Sequence, residues 1–392
     1  MSAVMPTYAR ADLAFERGEG AWLFTDDGLK FLDFCSGVAV TALGHSHPYL
    51  VKALTDQAGK LWHCSNLYRV PGQERLAARL VEKSFADLAF FCNSGAEAVE
   101  CGLKTIRKYQ HESGHPNRYR VIAFDQAFHG RTLATIAAGG QAKHLKGFEP
   151  AVEGFDRVPF GNLNALRAAI TPETAGILVE PIQGEGGLRT ANADFLKGLR
   201  AAADEFGLLL MYDEVQCGMG RTGKLFAHEW SGVAPDVMAL AKGLGGGFPV
   251  GACLATKEAA KGMTAGTHGS TFGGNPLAMA VANAVLDVME TPGFFERVEF
   301  TAGLLRSRLE AMVGRYPKVL SEVRGLGLML GLKCVAENGN AQLSEALANE
   351  NMLTVMAGDN VVRLVPPLVI GQVEIEAAIS IIDSACAKLS QG

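Results

Sequence analysis

The chain has 392 residues, of which 48% are hydrophobic, and a formal net charge of −5. This length exceeds what one hydrophobic core usually serves, so we expect one large and one smaller domain. The mixed, slightly acidic charge argues against a nucleic-acid partner and favours small anionic substrates bound by a few local arginines. No stretch approaches the roughly 20 apolar residues of a membrane span, so no membrane partner is expected.

Eight cysteines are scattered along the chain, and no two of them lie three residues apart. In so long a chain this pattern is typical of small buried residues in a reducing compartment rather than of a disulfide framework. The first ten residues contain no apolar signal region, and Asp12, Glu16 and Glu19 follow closely. These features predict a cytoplasmic protein.

The first predicted element is a hairpin over residues 20–35, in which aromatic residues flank the turn Asp26-Asp27-Gly28. From about residue 75, short apolar runs alternate with segments of helical period such as 192–206. The predicted strands are 89–92, 120–124, 176–180, 208–213, 237–241 and 252–256. This alternation predicts an α/β fold with a largely parallel sheet covered by helices on both faces.

Past about residue 290 the pattern changes to that of a smaller α+β unit. It predicts helices at 294–316, 341–349 and 373–389 and strands at 326–332 and 361–365. We therefore predict a large domain over residues 51–288 and a C-terminal small domain over residues 289–392. Residues 1–50 are expected to form an N-terminal segment that joins the small domain.

The segment Ser94-Gly95-Ala96 directly follows a predicted strand and opens a predicted helix. Ligands of open α/β sheets bind at the carboxyl ends of the strands. Free N–H groups and the helix dipole at such a point bind phosphate, and a glycine lets the backbone come close. The alternative is that Ser94 is a plain N-cap.

Asp213 ends one apolar run, and Lys242 follows another. A carboxylate at the end of a buried strand is costly unless it meets a cation, for which a pyridinium N–H would serve. A desolvated lysine has a lowered pKa and becomes a nucleophile toward an aldehyde. The alternatives are a capping aspartate and a solvated lysine, and the adjacent Glu214 could pair with an arginine.

Phe128 and Arg131 follow the predicted strand 120–124. Phe128 could stack on an aromatic ring, and Arg131 could bind a substrate carboxylate through two hydrogen bonds. The alternatives are a core phenylalanine and a surface arginine. The Gly-x-Gly-x-x-Gly pattern at 218–223 begins five residues past a strand and opens no helical period, which favours a loop over a dinucleotide site. His45 and His47 complete no ligand cluster, so no metal is expected.

Taken together, these signals resemble the class III (ornithine and acetylornithine type) aminotransferases over nearly the whole chain. The segments VEPIQGEGG (179–187), DEVQ (213–216), KG (242–243) and GSTFGGNP (269–276) occur in the order and spacing of that family. The resemblance implies an enzyme of fold type I that uses pyridoxal 5'-phosphate. It also implies a homodimer with active sites at the subunit interface.

The resemblance implies a role for each residue of the cofactor site. Lys242 would bond to the cofactor aldehyde and later move the substrate proton, and Asp213 would hold the ring nitrogen. The other implied contacts are Ser94, Gly95 and Ala96 at the phosphate, Thr271 at the phosphate of the neighbouring subunit, Phe128 and Val215 on the two ring faces, and Gln216 near the ring hydroxyl.

Two arginines, Arg131 and Arg363, would share the substrate carboxylates in this family. Glu185 would neutralise Arg363 when the donor places no carboxylate there; the alternative is a loop acid without this role. Val38 stands where free-ornithine aminotransferases carry a tyrosine, and His129 stands where they carry a tryptophan. An apolar Val38 cannot accept a hydrogen bond from an ammonium group, but it can contact an acyl methyl group.

The resemblance therefore favours transfer of the terminal amino group of N2-acetylornithine to 2-oxoglutarate, which gives N-acetylglutamate 5-semialdehyde and glutamate in arginine biosynthesis. Succinyl-diaminopimelate, succinylornithine, ornithine and 4-aminobutyrate stay open as donors, because a hydrophobic pocket separates neighbouring acyl groups by only ~1–3 kcal/mol. An aminomutase, a racemase and a cofactor-binding regulator are more remote alternatives.

Overall fold

The computed structural model describes residues 3–391. The strands in this range are β1 (Phe15–Glu19), β2 (Trp22–Thr25), β3 (Lys30–Asp33), β4 (Leu88–Cys92), β5 (Arg120–Phe124), β6 (Phe155–Val158), β7 (Thr174–Val179), β8 (Ile182–Gln183), β9 (Arg189–Thr190), β10 (Leu209–Asp213), β11 (Val237–Leu240), β12 (Gly251–Ala255), β13 (Leu320–Leu326), β14 (Met329–Cys334), β15 (Met352–Leu353), β16 (Val355–Ala357) and β17 (Val361–Leu364).

The helices are α1 (Pro48–Ala58), α2 (Pro71–Glu82), α3 (Gly95–Glu112), α4 (Leu133–Gly139), α5 (Ala142–Leu145), α6 (Leu163–Ala169), α7 (Ala193–Phe206), α8 (Pro276–Met289), α9 (Phe294–Arg315), α10 (Gly339–Asn349) and α11 (Gln372–Gln391). Short 3-10 helices cover Ala227–Trp230 and Lys242–Leu244. Across residues 3–391, no helix combines the length and the apolar character needed to cross a membrane.

A seven-stranded sheet with the order β4-β12-β11-β10-β7-β5-β6 forms the centre of the molecule. Strand β12 pairs antiparallel with both of its neighbours, and the remaining pairs are parallel. Every residue of β7, β10, β11 and β12 is buried. Because helices cover both faces, these strands are continuous apolar runs rather than alternating ones. The structure confirms the predicted α/β sheet.

Helix α7 shows how the sequence sets the ends of the covering helices. The Asn192 side chain caps its start by accepting a hydrogen bond from the Phe195 N–H at 2.7 Å. Gly207 ends it with a φ of +65°, a conformation that glycine adopts without strain. The helix buries Phe195, Leu196 and Leu199 against the sheet. The helix predicted at residues 192–206 is confirmed.

The predicted N-terminal hairpin is confirmed as the antiparallel pair β2–β3 around residues 26–28. Strand β1, which the sequence reasoning missed, pairs with β2, and β3 pairs in parallel with β15 through Leu32 and Met352. The N-terminal segment therefore shares a sheet with the C-terminal part of the chain. The domain limits at residues 50 and 288 stay predictions.

One expectation for the C-terminal part was wrong. Residues 326–332 were predicted as a single strand, but they span the turn of a hairpin in which Leu326 faces Met329. Gly325 and Gly327 have φ angles of +94° and +61°, and a Cβ at Gly325 would lie only 1.9 Å from the Met329 carbonyl oxygen. Apolar residues around these two glycines, Leu326 and 328–330, gave the segment the pattern of a strand and hid the turn. The helices α9, α10 and α11 and strand β17 match the predicted elements to within a few residues.

Candidate active site

A cavity of about 300 Å³ lies at the edge of the central sheet where β4, β10 and β11 end. Eight residues that the sequence predicted for the cofactor site line it together: Ser94, Gly95, Ala96, Phe128, Asp213, Val215, Gln216 and Lys242. The parallel strands bring their carboxyl ends to one edge, which explains why residues far apart in the sequence meet here. Val38, Arg131, Glu185, Thr271 and Arg363 do not belong to this lining.

The start of helix α3 forms one wall of the cavity. Gly95 and Ala96 occupy its first two positions, where backbone N–H groups have no acceptor within the helix. The Ser94 hydroxyl caps the helix by accepting from the Glu97 N–H at 3.3 Å. Ser94 is therefore an N-cap of this helix, and its side chain engages the Glu97 N–H rather than those of Gly95 and Ala96. A Cβ at Gly95 would lie 2.6 Å from Val215, so the close approach requires glycine.

Lys242 follows β11 and begins a short 3-10 helix, with a φ of +43°. Its half-buried side chain lines the cavity. Desolvation and then the positive charge of Arg363 lower the pKa of Lys242 to about 8, although three carboxyl groups act in the opposite direction. The amine is therefore much more readily deprotonated than that of an exposed lysine, as a nucleophile requires.

Asp213 is buried at the end of β10 and is held by two donors. One carboxylate oxygen lies 2.7 Å from His129 Nδ1, and the other accepts from the Val215 N–H at 3.0 Å. The sequence reasoning noted His129 only as a replacement for tryptophan and missed this contact. The sequence could have indicated this contact, because His129 directly follows Phe128 and lies just after strand β5. The buried Nε2 of His129 has no hydrogen-bond partner in residues 3–391.

Glu180 is a second buried carboxyl group in the cavity wall, directly after β7. It accepts a hydrogen bond from the Phe128 N–H at 3.2 Å. Burial, with the negative charge of Asp213 added to it, raises the pKa of Glu180 well above its ordinary value. The sequence reasoning treated residue 180 only as the end of a strand and missed its place in the site.

Arg363 on β17 is 1% exposed and binds two side chains beside the cavity. Its Nη1 lies 2.7 Å from Glu185 Oε1 and 2.7 Å from Gln216 Oε1. Burial raises the pKa of Glu185, but the charge and hydrogen bond of Arg363 outweigh it, so the net shift is downward. Glu185 is therefore paired with the arginine that the sequence reasoning named. Gln216, expected near a ring hydroxyl, lines the cavity and binds this arginine as well.

Arg131 is exposed at the protein surface beside Phe128. Its guanidinium carbon lies 5.7 Å from the centre of the Phe128 ring, and Nη2 lies 3.1 Å from His144 Nε2. Desolvation, together with the Arg131 charge, lowers the pKa of His144. Phe128 is half-buried in the cavity wall, so it is not a core residue.

Val38 lies in a turn with unusual backbone geometry. The four residues Ser36–Ala39 have successive φ angles of +50°, +62°, +65° and +65°, which is one turn of left-handed helix. This conformation costs about 1–2 kcal/mol for each residue other than glycine. The Asp33 carboxylate supports the turn by accepting from the N–H groups of Cys35 and Ser36 at 2.9 and 2.7 Å and by contacting His45 Nε2 at 2.7 Å. Val40, just after the turn, lines the cavity.

Two further predictions concern the segment that follows Asp213. The arginine partner considered for Glu214 was wrong, because this buried carboxylate accepts from the backbone N–H and the ring nitrogen Nδ1 of His228 at 2.8 and 2.9 Å. The glycines at 218–223 lie in turns without a following α-helix, so the predicted loop is confirmed. Arg221 in this loop is buried and donates to the Leu328 carbonyl at 3.1 Å.

Comparison with known proteins agrees with this arrangement. The family described as aminotransferase class III matches residues 4–386. The acetylornithine aminotransferase of Brucella melitensis is 64% identical over 384 residues, which cover 98% of this chain and 95% of that protein. A Pseudomonas aeruginosa protein named succinylornithine transaminase/acetylornithine aminotransferase is 45% identical over 99% of this chain and 96% of its own length.

A solved structure of the ornithine aminotransferase from Toxoplasma gondii superposes with a TM-score of 0.94 and 30% identity, covering 100% of this chain and 94% of that one. That crystal contains pyridoxal phosphate at the active site with partial occupancy. The fold and the cavity thus define a transaminase of fold type I, the class that depends on pyridoxal phosphate. Within that class, the chain belongs to the class III aminotransferases.

Replacing Lys242 with methionine should stabilise the cofactor-free protein. The pKa of Lys242 is about 8 in the fold and 10.5 when unperturbed, so below about pH 8 the fold carries the full cost of desolvating the ammonium. We expect a gain of about 2–3 kcal/mol there, allowing for screening by cavity water, which fades as the pH rises toward about 10.5. Urea unfolding of the variant and the wild type at about pH 7 and about pH 10 measures this gain in the free energy of unfolding. Exposed Lys197→Met is the control, and an equal gain at both pH values contradicts the prediction.

Replacing His129 with leucine should destabilise the fold, because it removes a donor from the buried Asp213 carboxylate. The expected loss is about 1.5–3 kcal/mol, the range for a hydrogen bond to a charged group. Urea denaturation of the cofactor-free variant measures this loss. His111→Leu, at an exposed position on α3, is the matched control. If both variants lose the same stability, the His129–Asp213 contact does not contribute as described.

Proposed function

We propose that this chain binds pyridoxal 5'-phosphate in the cavity and transfers the terminal amino group of N2-acetylornithine to 2-oxoglutarate. The products would be N-acetylglutamate 5-semialdehyde and glutamate, in arginine biosynthesis. The observation that carries the proposal is a desolvated Lys242 in a cavity flanked by the Arg363–Glu185 pair. The name of the 64% identical Brucella relative supports the same donor.

The cavity wall offers a complementary group for each part of the cofactor. The N–H groups of Gly95 and Ala96 at the start of α3 suit the phosphate. The Asp213 carboxylate, held by His129, suits a protonated ring nitrogen. When bound, pyridoxal phosphate supplies an aldehyde that takes up the amino group and a ring that withdraws electrons. Phe128 provides the apolar wall for one ring face, with Val215 on the other side.

Lys242 would act as both nucleophile and base in this reaction. With a pKa of about 8, Nζ is neutral in an appreciable fraction of the molecules near neutral pH. While the substrate occupies the cavity, the neutral Nζ would accept the proton from the substrate carbon that carries the amine. Desolvation and then the charge of Arg363 keep the pKa of Lys242 low, and Glu185 and Asp213 prevent it from falling further.

Arg363 and Glu185 would let one site accept two kinds of substrate. The reacting carbon of N2-acetylornithine carries no carboxylate, so Glu185 can stay on Arg363 and neutralise it. For 2-oxoglutarate, the carboxylate beside the oxo group would replace Glu185 on Arg363, and Arg131 would bind the second carboxylate. The apolar Val38 would contact the acyl group of the donor.

Use of succinylornithine as a second donor is supported by the double name of the 45% identical Pseudomonas relative. Neighbouring acyl groups differ by only ~1–3 kcal/mol in a hydrophobic pocket. Succinyl-diaminopimelate, free ornithine and 4-aminobutyrate are the further alternatives. Of these, free ornithine is disfavoured by Val38, which offers its ammonium no acceptor.

We further propose that the protein acts as a homodimer in the cytoplasm. Large apolar side chains around Thr271 are exposed in the single chain, among them Trp62, Leu67 at 87% exposure, and Phe272. The Asn66 side chain ties this region to the loop of Thr271 by donating to the Ser270 carbonyl at 3.0 Å. An apolar surface of this kind is typical of subunit interfaces. The eight cysteines are all unpaired, as expected in a reducing compartment.

Separate half-reactions of the cofactor-loaded protein test the donor. We expect micromolar to millimolar N2-acetylornithine to remove the visible absorbance of the aldehyde form and 2-oxoglutarate to restore it. Free ornithine and 4-aminobutyrate should need at least about tenfold higher concentrations, because Val38 offers the ornithine ammonium no acceptor and 4-aminobutyrate has no acyl group to contact Val38.

Either of two results would contradict parts of this proposal. Stronger bleaching by free ornithine or 4-aminobutyrate would retain the transaminase but reject the donor. If added pyridoxal phosphate produced no visible band, and Lys242→Ala behaved identically, the cofactor site itself would be rejected.

Mixed dimers test the placement of Thr271 in the neighbouring subunit's site. Lys242→Ala homodimers should be inactive, and Thr271→Ala homodimers should bind cofactor more weakly. Co-expressed, doubly tagged heterodimers of the two variants should regain about half of the wild-type activity, since one of their two sites is then intact. If Thr271 serves its own subunit, the heterodimer will have no intact site, and its activity will not exceed about half that of the Thr271→Ala homodimer. Co-expression of Lys242→Ala with wild type provides the matching half-active control.

A further inference from the structure

Two backbone segments meet beside the Arg363–Glu185 pair. Glu185 lies in the loop between β8 and β9, and Arg363 lies on β17, which joins β16 through the turn 358–360. The Gly358 N–H donates to the Glu185 carbonyl at 2.8 Å. A Cβ at Gly187 would lie 2.8 Å from the Gly358 carbonyl oxygen. The loop of Glu185 thus rests directly on the turn that leads into the strand of Arg363.

Asp359, in the same turn, forms ion pairs with basic side chains from the β8–β9 hairpin and from the C-terminal sheet. Its carboxylate lies 2.6 Å from Arg324 Nη1, 2.9 Å from Lys333 Nζ and 3.5 Å from Arg189 Nη2. Arg189 belongs to β9, whereas Arg324 and Lys333 belong to β13 and β14. Arg324 also donates to the Gly187 carbonyl at 3.3 Å. Asp359 therefore links the loop of Glu185 to the C-terminal sheet.

We propose that Asp359 and its three cations form a clasp that holds Glu185 on Arg363 and thereby sets the preference between the two kinds of substrate. Asp359 is a positioning residue, since it acts through Glu185. This inference rests on the proposed function, in which the donor leaves Arg363 without a carboxylate and the acceptor supplies one.

The expected direction follows from competition for Arg363. An intact clasp keeps Glu185 in place, which favours a donor that needs a neutralised arginine. A weakened clasp makes Glu185 easier to displace, so the carboxylate beside the reacting carbon of glutamate or 2-oxoglutarate competes better. The clasp is a network with several charges on one carboxylate, and networks contribute more than isolated surface pairs.

The variant Asp359→Asn keeps the shape of the side chain and removes its charge. We expect the ratio of kcat/KM for N2-acetylornithine to kcat/KM for glutamate, each measured as a half-reaction, to fall about tenfold, the size of one charge-assisted hydrogen bond. The change should lie mainly in KM. Asp383→Asn on α11 removes a carboxylate that is 2.6 Å from Arg315 and should leave the ratio unchanged.

The same substitution in a Glu185→Gln background separates positioning from a general structural effect. If the clasp acts through Glu185, Asp359→Asn should change the ratio less than about twofold once Glu185 has lost its charge. Independent effects of the two substitutions, with the full change retained in the double variant, would overturn the proposal.

Amide hydrogen exchange of the cofactor-free protein tests the clasp without any substrate. The Gly358 amide should exchange about tenfold faster in Asp359→Asn than in the wild type, and at the wild-type rate in Asp383→Asn. Unchanged exchange in Asp359→Asn overturns the clasp. Failure of the wild type to react with N2-acetylornithine rejects the proposed donor instead, while the exchange result still decides whether the clasp exists.

Discussion

The desolvation of Lys242 is the constraint on which the rest of the site depends. An amine stays reactive near neutral pH only if its surroundings disfavour the ammonium form. The central sheet supplies such surroundings because helices cover both of its faces and the strand before Lys242 is fully buried. The same surroundings make the nearby carboxyl groups costly unless they are paired. Asp213 and Glu185 therefore each have a specific donor, and Glu180 has a raised pKa.

Local sequence patterns were sufficient to predict six of the seven central strands, all except β6, and several residues of the cavity wall. A strand that is buried on both faces must be a short apolar run, so β7, β10, β11 and β12 could be found without knowing their neighbours. A polar residue that directly follows such a run lies at the binding edge of the sheet. This reasoning singled out Ser94, Asp213 and Lys242 before any resemblance was considered, and the resemblance to the family then added Arg363 and Glu185.

Features that depend on distant contacts or on backbone shape could not be predicted in the same way. His129 and Asp213 are 84 residues apart, and Gln216 and Arg363 are 147 apart, so neither pairing leaves a local pattern. The turn between β13 and β14 was not predicted, because it depends on the positive φ angles of two glycines within a run that is otherwise apolar. The left-handed turn at Ser36–Ala39 contains a single glycine, so propensity alone argues against it.

In the proposed function, Arg363 would let the site alternate between two kinds of substrate. Burial of its guanidinium at 1% exposure makes Arg363 dependent on partners inside the protein. Glu185 and Gln216 both bind Nη1 and leave Nε without a partner in the described residues. An unpaired buried donor costs about 1–3 kcal/mol. In the proposed reaction, a substrate carboxylate could bind Nε and an Nη together and recover that energy. The incomplete pairing with Glu185 thus keeps Arg363 both neutralised for the donor and receptive to the acceptor.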